Sequence, residues 1–479
     1  MDRKDKYTHH VENVEAIRSK RREEYIVLRK EKRDKLISAK RFRFGKDESV
    51  DEDITTEEVI NITKQLQKHG PHRLTILQTL RQAFSQGTVF IDAFFSVGNS
   101  LHYLVGLLTG TDVDLQLEAA WCITNISAGT HEHALAITKS AAPYLIIYLS
   151  SNNSMLQDQC AWAIGNLAGD GKECRSFLHA QGVVAPLVKL LQSPMPAVVQ
   201  SSAFAISNIA RESQEITRDI VQSGVIPLIP QYLTPKPEGR SILSEVAWVL
   251  TYISASGEHT ETLVHFGILR LVVDLLVKLV SEQPLDGQTI TPLMRCLGNI
   301  CSGPDEYSLA ACDNPRILHV LSQYLTSTIR HIIKETLWVL SNMAGEPHVC
   351  QSIASEPMLS LITKNLSLGF DIKQEALYVL CNIAWHGEEM TRHLVQQGVL
   401  HHIVPILKSS DVELLNLGLA FCEMAVRMCP EGVHVMEHCD GVTQLEGLEY
   451  HRNEDLASKA SHLLETYFYM GEEEVEELG

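Results

Sequence analysis

The chain has 479 residues, 45% of them hydrophobic and 21% charged, values that allow a large buried core and exclude disorder over most of its length. The net charge of −18 hides an asymmetry: residues 1–46 hold sixteen Lys+Arg against eight Asp+Glu, a net of +8, which leaves −26 on the remainder. An acidic body of that size repels phosphates and forgoes counterion release, so it excludes nucleic acid as the main ligand and favours a basic partner.

The first segment, opening MDRKDKYTHH, lacks the apolar stretch of a secretory leader. From Asn13 to Phe44 few helix breakers occur and Gly45 ends the run, which predicts one basic helix. A solvated charged helix or a nucleic-acid-binding arm fits the same residues; a coiled coil does not, for want of sustained heptads. Residues 47–70 read as an acidic linker opened by DESVDED. Arg73 to Phe84 and Leu456 to Phe468 read as capping units in front of and behind a repeat array, and residues 471–479 as an acidic tail.

Within the array one helical motif recurs. It reads LEAAWCITNIS at Leu117, DQCAWAIGNLA at Asp158, SSAFAISNIA at Ser201, SEVAWVLTYIS at Ser244, TPLMRCLGNIC at Thr291, KETLWVLSNMA at Lys334, KQEALYVLCNIA at Lys373 and LNLGLAFCEMA at Leu415. Its aromatic position is held by Trp121, Trp162, Phe204, Trp248, Arg295, Trp338, Tyr378 and Leu419, giving steps of 40 to 47 residues, the period of armadillo or HEAT units. Between the copies lie second apolar segments such as GVVAPLVKLLQS at Gly182 and GVIPLIPQYL at Gly224, each predicting a helix opened by glycine. The expected fold is all-α: a right-handed superhelical armadillo-repeat solenoid of nine to ten repeats over residues 71–470, carrying a basic N-terminal helical arm.

The eleven cysteines are scattered without a Cys-x-x-Cys pair, which indicates neither a zinc site nor a disulfide framework. The most apolar run, Leu271 to Val280, contains Asp274 and Lys278 and is too short for a bilayer. GDGK at Gly169 lacks the spacing of a phosphate-binding loop, and His131/His133 and His401/His402 have no further metal ligands at suitable spacing, so no enzyme and no cofactor are expected.

Four residues after each aromatic position stand Asn125, Asn166, Asn208, Tyr252, Asn299, Asn342, Asn382 and Glu423. Positions i and i+4 share a helix face. Asparagine is a poor helix former and costs free energy when buried unpartnered, so six in one phase call for a ligand that offsets the cost. A primary amide can bracket the N–H and C=O of an extended peptide without reading its side chains. Indoles on neighbouring helices, roughly 8 to 10 Å apart, would leave slots for lysine or arginine stems, with cation–π attraction of about 0.5 to 2 kcal/mol. Asp170 and Asp305, each following a ladder asparagine, and Glu335 and Glu375, three residues before a ladder aromatic, would fix which slot takes a lysine.

This constellation resembles the importin-α (karyopherin-α) family over most of the chain, within it the divergent branch catalogued as transmembrane and coiled-coil domain-containing protein. The resemblance implies a nuclear import adaptor with two sites for nuclear localisation signals, parted by repeats where Tyr replaces Asn and Arg replaces Trp, as Tyr252 and Arg295 do here. Trp121, Asn125, Gly129, Trp162, Asn166, Asp170, Phe204 and Asn208 would form the major site, with the Gly129 carbonyl helping to hold the key lysine. Arg295, Asn299, Asp305, Trp338, Asn342, Glu375, Tyr378 and Asn382 would form the minor site. Phe204 and Tyr378 replace tryptophans, and Ala134 stands where the family carries a lysine-binding threonine, departures that alter the lysine pocket.

By the same resemblance Arg18, Lys20, Arg21, Arg22, Arg29, Lys30, Lys32 and Arg33 belong to an arm that binds importin-β. Lys40, Arg41 and Arg43 would mimic a localisation signal and occupy the chain's own groove until importin-β withdraws them. The implied partners are cargo proteins with basic signals, importin-β and an export receptor, with no nucleic acid and no membrane; the implied location is cytoplasm and nucleus. An armadillo scaffold for another protein, without a transport role, is the alternative.

Overall fold

The computed structural model describes residues 54–469, save residues 69 and 71. The basic arm, with its set from Arg18 to Arg33 and its set Lys40, Arg41 and Arg43, lies outside the described residues, as does the tail at 471–479. Every regular element among the described residues is helical, and they fall into two compact units divided after Ser256. All eleven cysteines are free thiols. No single helix among the described residues is long and apolar enough to cross a membrane.

The recurring motif folds as eight long helices. In the N-terminal unit these are α1 (Val113–Ile126), α2 (Ser154–Asp170), α3 (Pro196–Ile209) and α4 (Arg240–Ala255). In the C-terminal unit they are α5 (Gly287–Cys301), α6 (Arg330–Met343), α7 (Phe370–Ala384) and α8 (Val412–Met428). Side-chain caps start several of them: the carboxylates of Asp112, Asp286 and Asp411 and the amide oxygen of Asn153 each accept two backbone N–H groups of the first turn. Pro196 stands at the first position of α3, where its missing N–H costs nothing.

Within the first unit α1 packs on α2, α2 on α3 and α3 on α4; within the second α5 packs on α6, α6 on α7 and α7 on α8. A helix with neighbours on both sides is apolar nearly all round. Alanines such as Ala161, Ala163, Ala203 and Ala205, all fully buried, bring α2 and α3 close together.

Most repeats hold three helices rather than the two legible in the sequence, although a single helix, His131–Tyr148, fills the interval between α1 and α2. Between α2 and α3 come Lys172–Ala180 and then Val184–Leu190. The first of these buries only Cys174, Arg175 and Leu178, a stripe too narrow to stand out as an apolar run. Gly182 joins them at φ +75°, a left-handed conformation that strains a residue with a Cβ.

Two expectations need correction. The segment at Gly224 forms no continuous helix but two 3₁₀ turns, Ile226–Leu228 and Pro230–Tyr232, because Pro227 and Pro230 lack the N–H groups a helix needs. The folded body also starts inside the range read as linker. Helix Thr56–Leu66 opens with a capping box between Thr55 and Glu58 and buries Val59, Thr63 and Leu66. Its acidic residues Glu57 and Glu58 sit at the helix N-terminus, where negative charge is favourable.

Candidate functional site

The ladder asparagines are held by the chain itself. In the N-terminal unit Asn125 Nδ2 donates to the Arg81 carbonyl at 3.0 Å, Asn166 Nδ2 to Thr124 at 3.1 Å and Asn208 Nδ2 to Gly165 at 2.9 Å. In the C-terminal unit Asn342 Nδ2 donates to Gly298 at 3.0 Å and Asn382 Nδ2 to Ser341 at 2.7 Å. The acceptor is always the residue just before the ladder position of the preceding repeat. Thr124 and Ser341 lie in the last turn of α1 and α6, where a carbonyl has outrun its intrahelical donors. Asn166 and Asn382 therefore cap the helix of the repeat before them, whereas Asn208 reaches Gly165 inside α2 and Asn342 shares the Gly298 carbonyl with Ser302 N–H at 2.9 Å.

This corrects the inference that only a ligand could offset the cost of burying these amides. The bond to the preceding repeat uses one N–H of each amide; the second N–H and Oδ1 are additional to it. At Asn166, which is fully buried, Oδ1 has no hydrogen-bond partner.

The same register extends forward. Asn125 reaches Arg81, so Gln82 holds the ladder position of the front unit on helix Arg73–Gln86. Stepping the period back by 43 residues from Asn125 finds it.

The rings also depart from expectation. Trp162 and Phe204 stack with centroids 4.8 Å apart and planes 25° apart, which leaves no room for a lysine stem between this pair. Phe204 lies against α2 at Gly165, where a Cβ would come 2.4 Å from Phe204 Cδ1. Trp338 likewise lies against α5 at Gly298, where a Cβ would come 2.3 Å from Trp338 Cζ3. A glycine just before the ladder asparagine thus lets the next ring close down on the helix, closer than the spacing of helix axes implies. Trp121 is covered differently: the Arg81 guanidinium carbon stands 4.2 Å above its ring, while Arg81 Nε is 3.2 Å from Glu118 Oε2. The first aromatic carries an internal cation.

The acidic residues separate into distinct roles. Glu335 is 2.7 Å from Arg295 Nη2, with both side chains buried, so it neutralises the arginine that replaces a ladder tryptophan. Its expected part in receiving a ligand lysine is withdrawn on that ground. Glu375 is buried on α7, and beside it the Tyr378 hydroxyl donates to Glu413 Oε1 at 3.1 Å. Burial and the Glu413 charge hold that hydroxyl protonated well above the usual tyrosine range.

Asp170 and Asp305 are not equivalent, although each follows a ladder asparagine. Asp305 opens helix Asp305–Ala311 behind Pro304, the end of a helix that favours an anion. Asp170 is the last residue of α2, the end that disfavours one, and it pairs with His131, Nδ1 to Oδ2 2.6 Å. Gly129 is in the turn after α1, where a Cβ would come 2.7 Å from His133 Nδ1. Ala134 is fully buried one turn into helix His131–Tyr148, so the threonine hydroxyl of the resembling family has no counterpart there. Asn299 is half-buried on α5.

Comparison with known proteins gives the family and the fold. Residues 59–468 match a family model described as TMCO6. The chain is 31% identical to importin subunit alpha-9 of Arabidopsis thaliana, covering 98% of this chain and 97% of that one. It is 32% identical to importin subunit alpha-2 of Oryza sativa subsp. japonica, covering 94% and 92%. Among solved structures, an engineered protein superposes with a TM-score of 0.76 at 27% identity, over 86% of this chain and 98% of that one.

Proposed function

The chain belongs to the importin-α family of armadillo-repeat proteins, and on that premise we propose that it is a non-enzymatic nuclear import adaptor that holds extended basic signal peptides along its ladder. The observation that carries this reading is the Asn166 amide. Its N–H is committed to the preceding repeat, and its buried Oδ1 faces no donor. Such an acceptor costs about 1–3 kcal/mol, a cost that the backbone N–H of a bound peptide removes once the side chains covering the amide move aside. The bond to Thr124 fixes the amide plane before the ligand arrives, so binding loses little side-chain freedom.

In this reading Trp121, Asn125, Gly129, Trp162, Asn166, Asp170, Phe204 and Asn208 hold one basic segment. Arg295, Asn299, Asp305, Trp338, Asn342, Glu375, Tyr378 and Asn382 hold a second. Phe204 acts as the wall of the Trp162 stack rather than as one side of a slot. The arm over residues 1–46 binds importin-β, and its Lys40, Arg41 and Arg43 compete with cargo for the ladder. The protein works in cytoplasm and nucleus, and an export receptor returns it.

One observation favours a second reading, an armadillo scaffold without a transport role. The chain's own Arg81 and Arg295 already engage the Trp121 ring and the Glu335 carboxylate. Titrating a labelled lysine-rich peptide into the full chain, with and without importin-β, separates the two. The adaptor reading expects saturable binding that strengthens when importin-β is present. Absence of binding up to millimolar peptide, with no importin-β complex formed, leaves the scaffold.

A further inference from the structure

Asp170 ends α2, where its carboxylate meets the negative pole of the helix and calls for a neighbouring cation. The cation comes from within the chain. His131 is the first residue of helix His131–Tyr148, two positions after Gly129, and its Nδ1 lies 2.6 Å from Asp170 Oδ2. The imidazole is 58% exposed whereas the aspartate side chain is only 13% exposed. It therefore covers the carboxylate from the solvent side, and rotation about its own side-chain bonds uncovers it. Gly171 lies alongside: a Cβ there would come 3.7 Å from His131 Cε1, in contact without a clash.

The surrounding charges favour the imidazolium. Glu132 stands beside His131 on its own helix, and Glu173 faces it from helix Lys172–Ala180. Lys139, the cation further along the histidine's helix, is 3.5 Å from Glu173. Cys174 Sγ approaches Asp170 Oδ2 at 3.8 Å as a weak donor. His133 points elsewhere, 2.9 Å from Asp92 and stacked on Phe95, and forms a separate pair.

We propose that His131 is a built-in competitor for the ligand's lysine: in the free chain its imidazolium occupies Asp170, and a basic peptide takes that carboxylate only by displacing it. This rests on the ladder reading above. The hydrogen bond and charge of Asp170 raise the His131 pKa above the ordinary histidine value. A lysine that takes over Asp170 frees the imidazolium, which gives up its proton where the pH lies between the ordinary histidine value and the raised one. Across that window binding weakens as pH falls, by up to about tenfold per pH unit, and on either side of it affinity is level. The site then discriminates by pH as well as by sequence.

The test uses the full chain and its His131→Ser variant with a fluorescein-labelled peptide of consecutive lysines and no histidine. Affinity is measured between about pH 5.5 and 8.5, with peptide taken to millimolar, above the effective concentration of a tethered arm. The expected result is a wild-type affinity that falls about tenfold across the acid half of the range. The variant should stay within about twofold over the same range and bind more tightly than wild type at the acid end. Parallel pH slopes in the two proteins, or weaker binding by the variant throughout, overturn this proposal and leave the ladder reading standing. No saturable binding by either protein at any pH overturns the ladder reading and this proposal with it.

Discussion

Asn166→Ala separates the two jobs of a ladder asparagine. In the free chain the substitution removes the 3.1 Å bond to the Thr124 carbonyl, a net loss of about 1 kcal/mol, and leaves that last-turn carbonyl without its amide partner. It also removes the buried Oδ1 that has no donor, which relieves about 1–3 kcal/mol. The opposing changes largely cancel and leave stability within about 1 kcal/mol of the wild type. For a chain of 479 residues that moves Tm by only about 1 °C. A bound peptide, by contrast, loses both bonds it would make with the amide, about 1–3 kcal/mol, a weakening of roughly fivefold to 150-fold. Calorimetry and peptide titration on the same preparation measure the two effects. Asn365→Ala is the control, since that buried amide bonds to Leu361 within its own helix, away from the ladder. A Tm drop of several degrees with peptide affinity unchanged refutes the reasoning and makes Asn166 a clamp between repeats and nothing more.

Three further outcomes follow from the packing. Arg295→Met strands the buried Glu335 carboxylate and should cost about 3–5 kcal/mol in urea unfolding, while Arg295→Met with Glu335→Leu recovers most of that loss; a double variant no more stable than the single one contradicts the pairing. Gly298→Ala drives a methyl into Trp338 and should cost about 1–3 kcal/mol with a shift in tryptophan emission. Gly106→Ala, on an open helical site, should be neutral or stabilising by about 0.5–1 kcal/mol. Finally, burial pushes the Cys122, Cys160 and Cys422 thiols far above the usual range, whereas half-buried Cys312 is pushed up to about 11. Iodoacetamide on the native protein should therefore label Cys312 and Cys439 well before those three, as peptide mapping can show.

The sequence revealed whatever repeats with the helical period. The eight motif helices, their phase and the glycine turns such as Gly182 follow from spacing alone, because a buried stripe needs an apolar residue every third or fourth position. What it hid depends on short-range partners from other repeats. Nothing local in Asn166 announces that Thr124, 42 residues earlier, is its acceptor. The closure of Trp162 on Phe204 turns on one small residue, Gly165, whose effect lies in a missing Cβ rather than in any pattern. Glu335 looked like a ligand group because its buried partner Arg295 was counted as part of the ladder instead of as a counter-ion. Helix Thr56–Leu66 escaped because acidic residues, which read as linker in composition, are what a helix start prefers.

The asparagine-to-carbonyl bonds have a metric consequence. Repeats vary in length because their loops do, yet each bond joins a ladder amide to the same backbone position one repeat back. Within each unit the ladder is thus a ruler whose graduations are set by hydrogen bonds, and insertions accumulate in the loops without stretching the scale. On the adaptor reading proposed above, an extended chain laid along it would be measured before it is read, since only residues falling on a graduation would meet an amide. At α8 the scale stops, since Glu423 has no amide N–H to give and turns to Arg427 on its own helix at 3.8 Å.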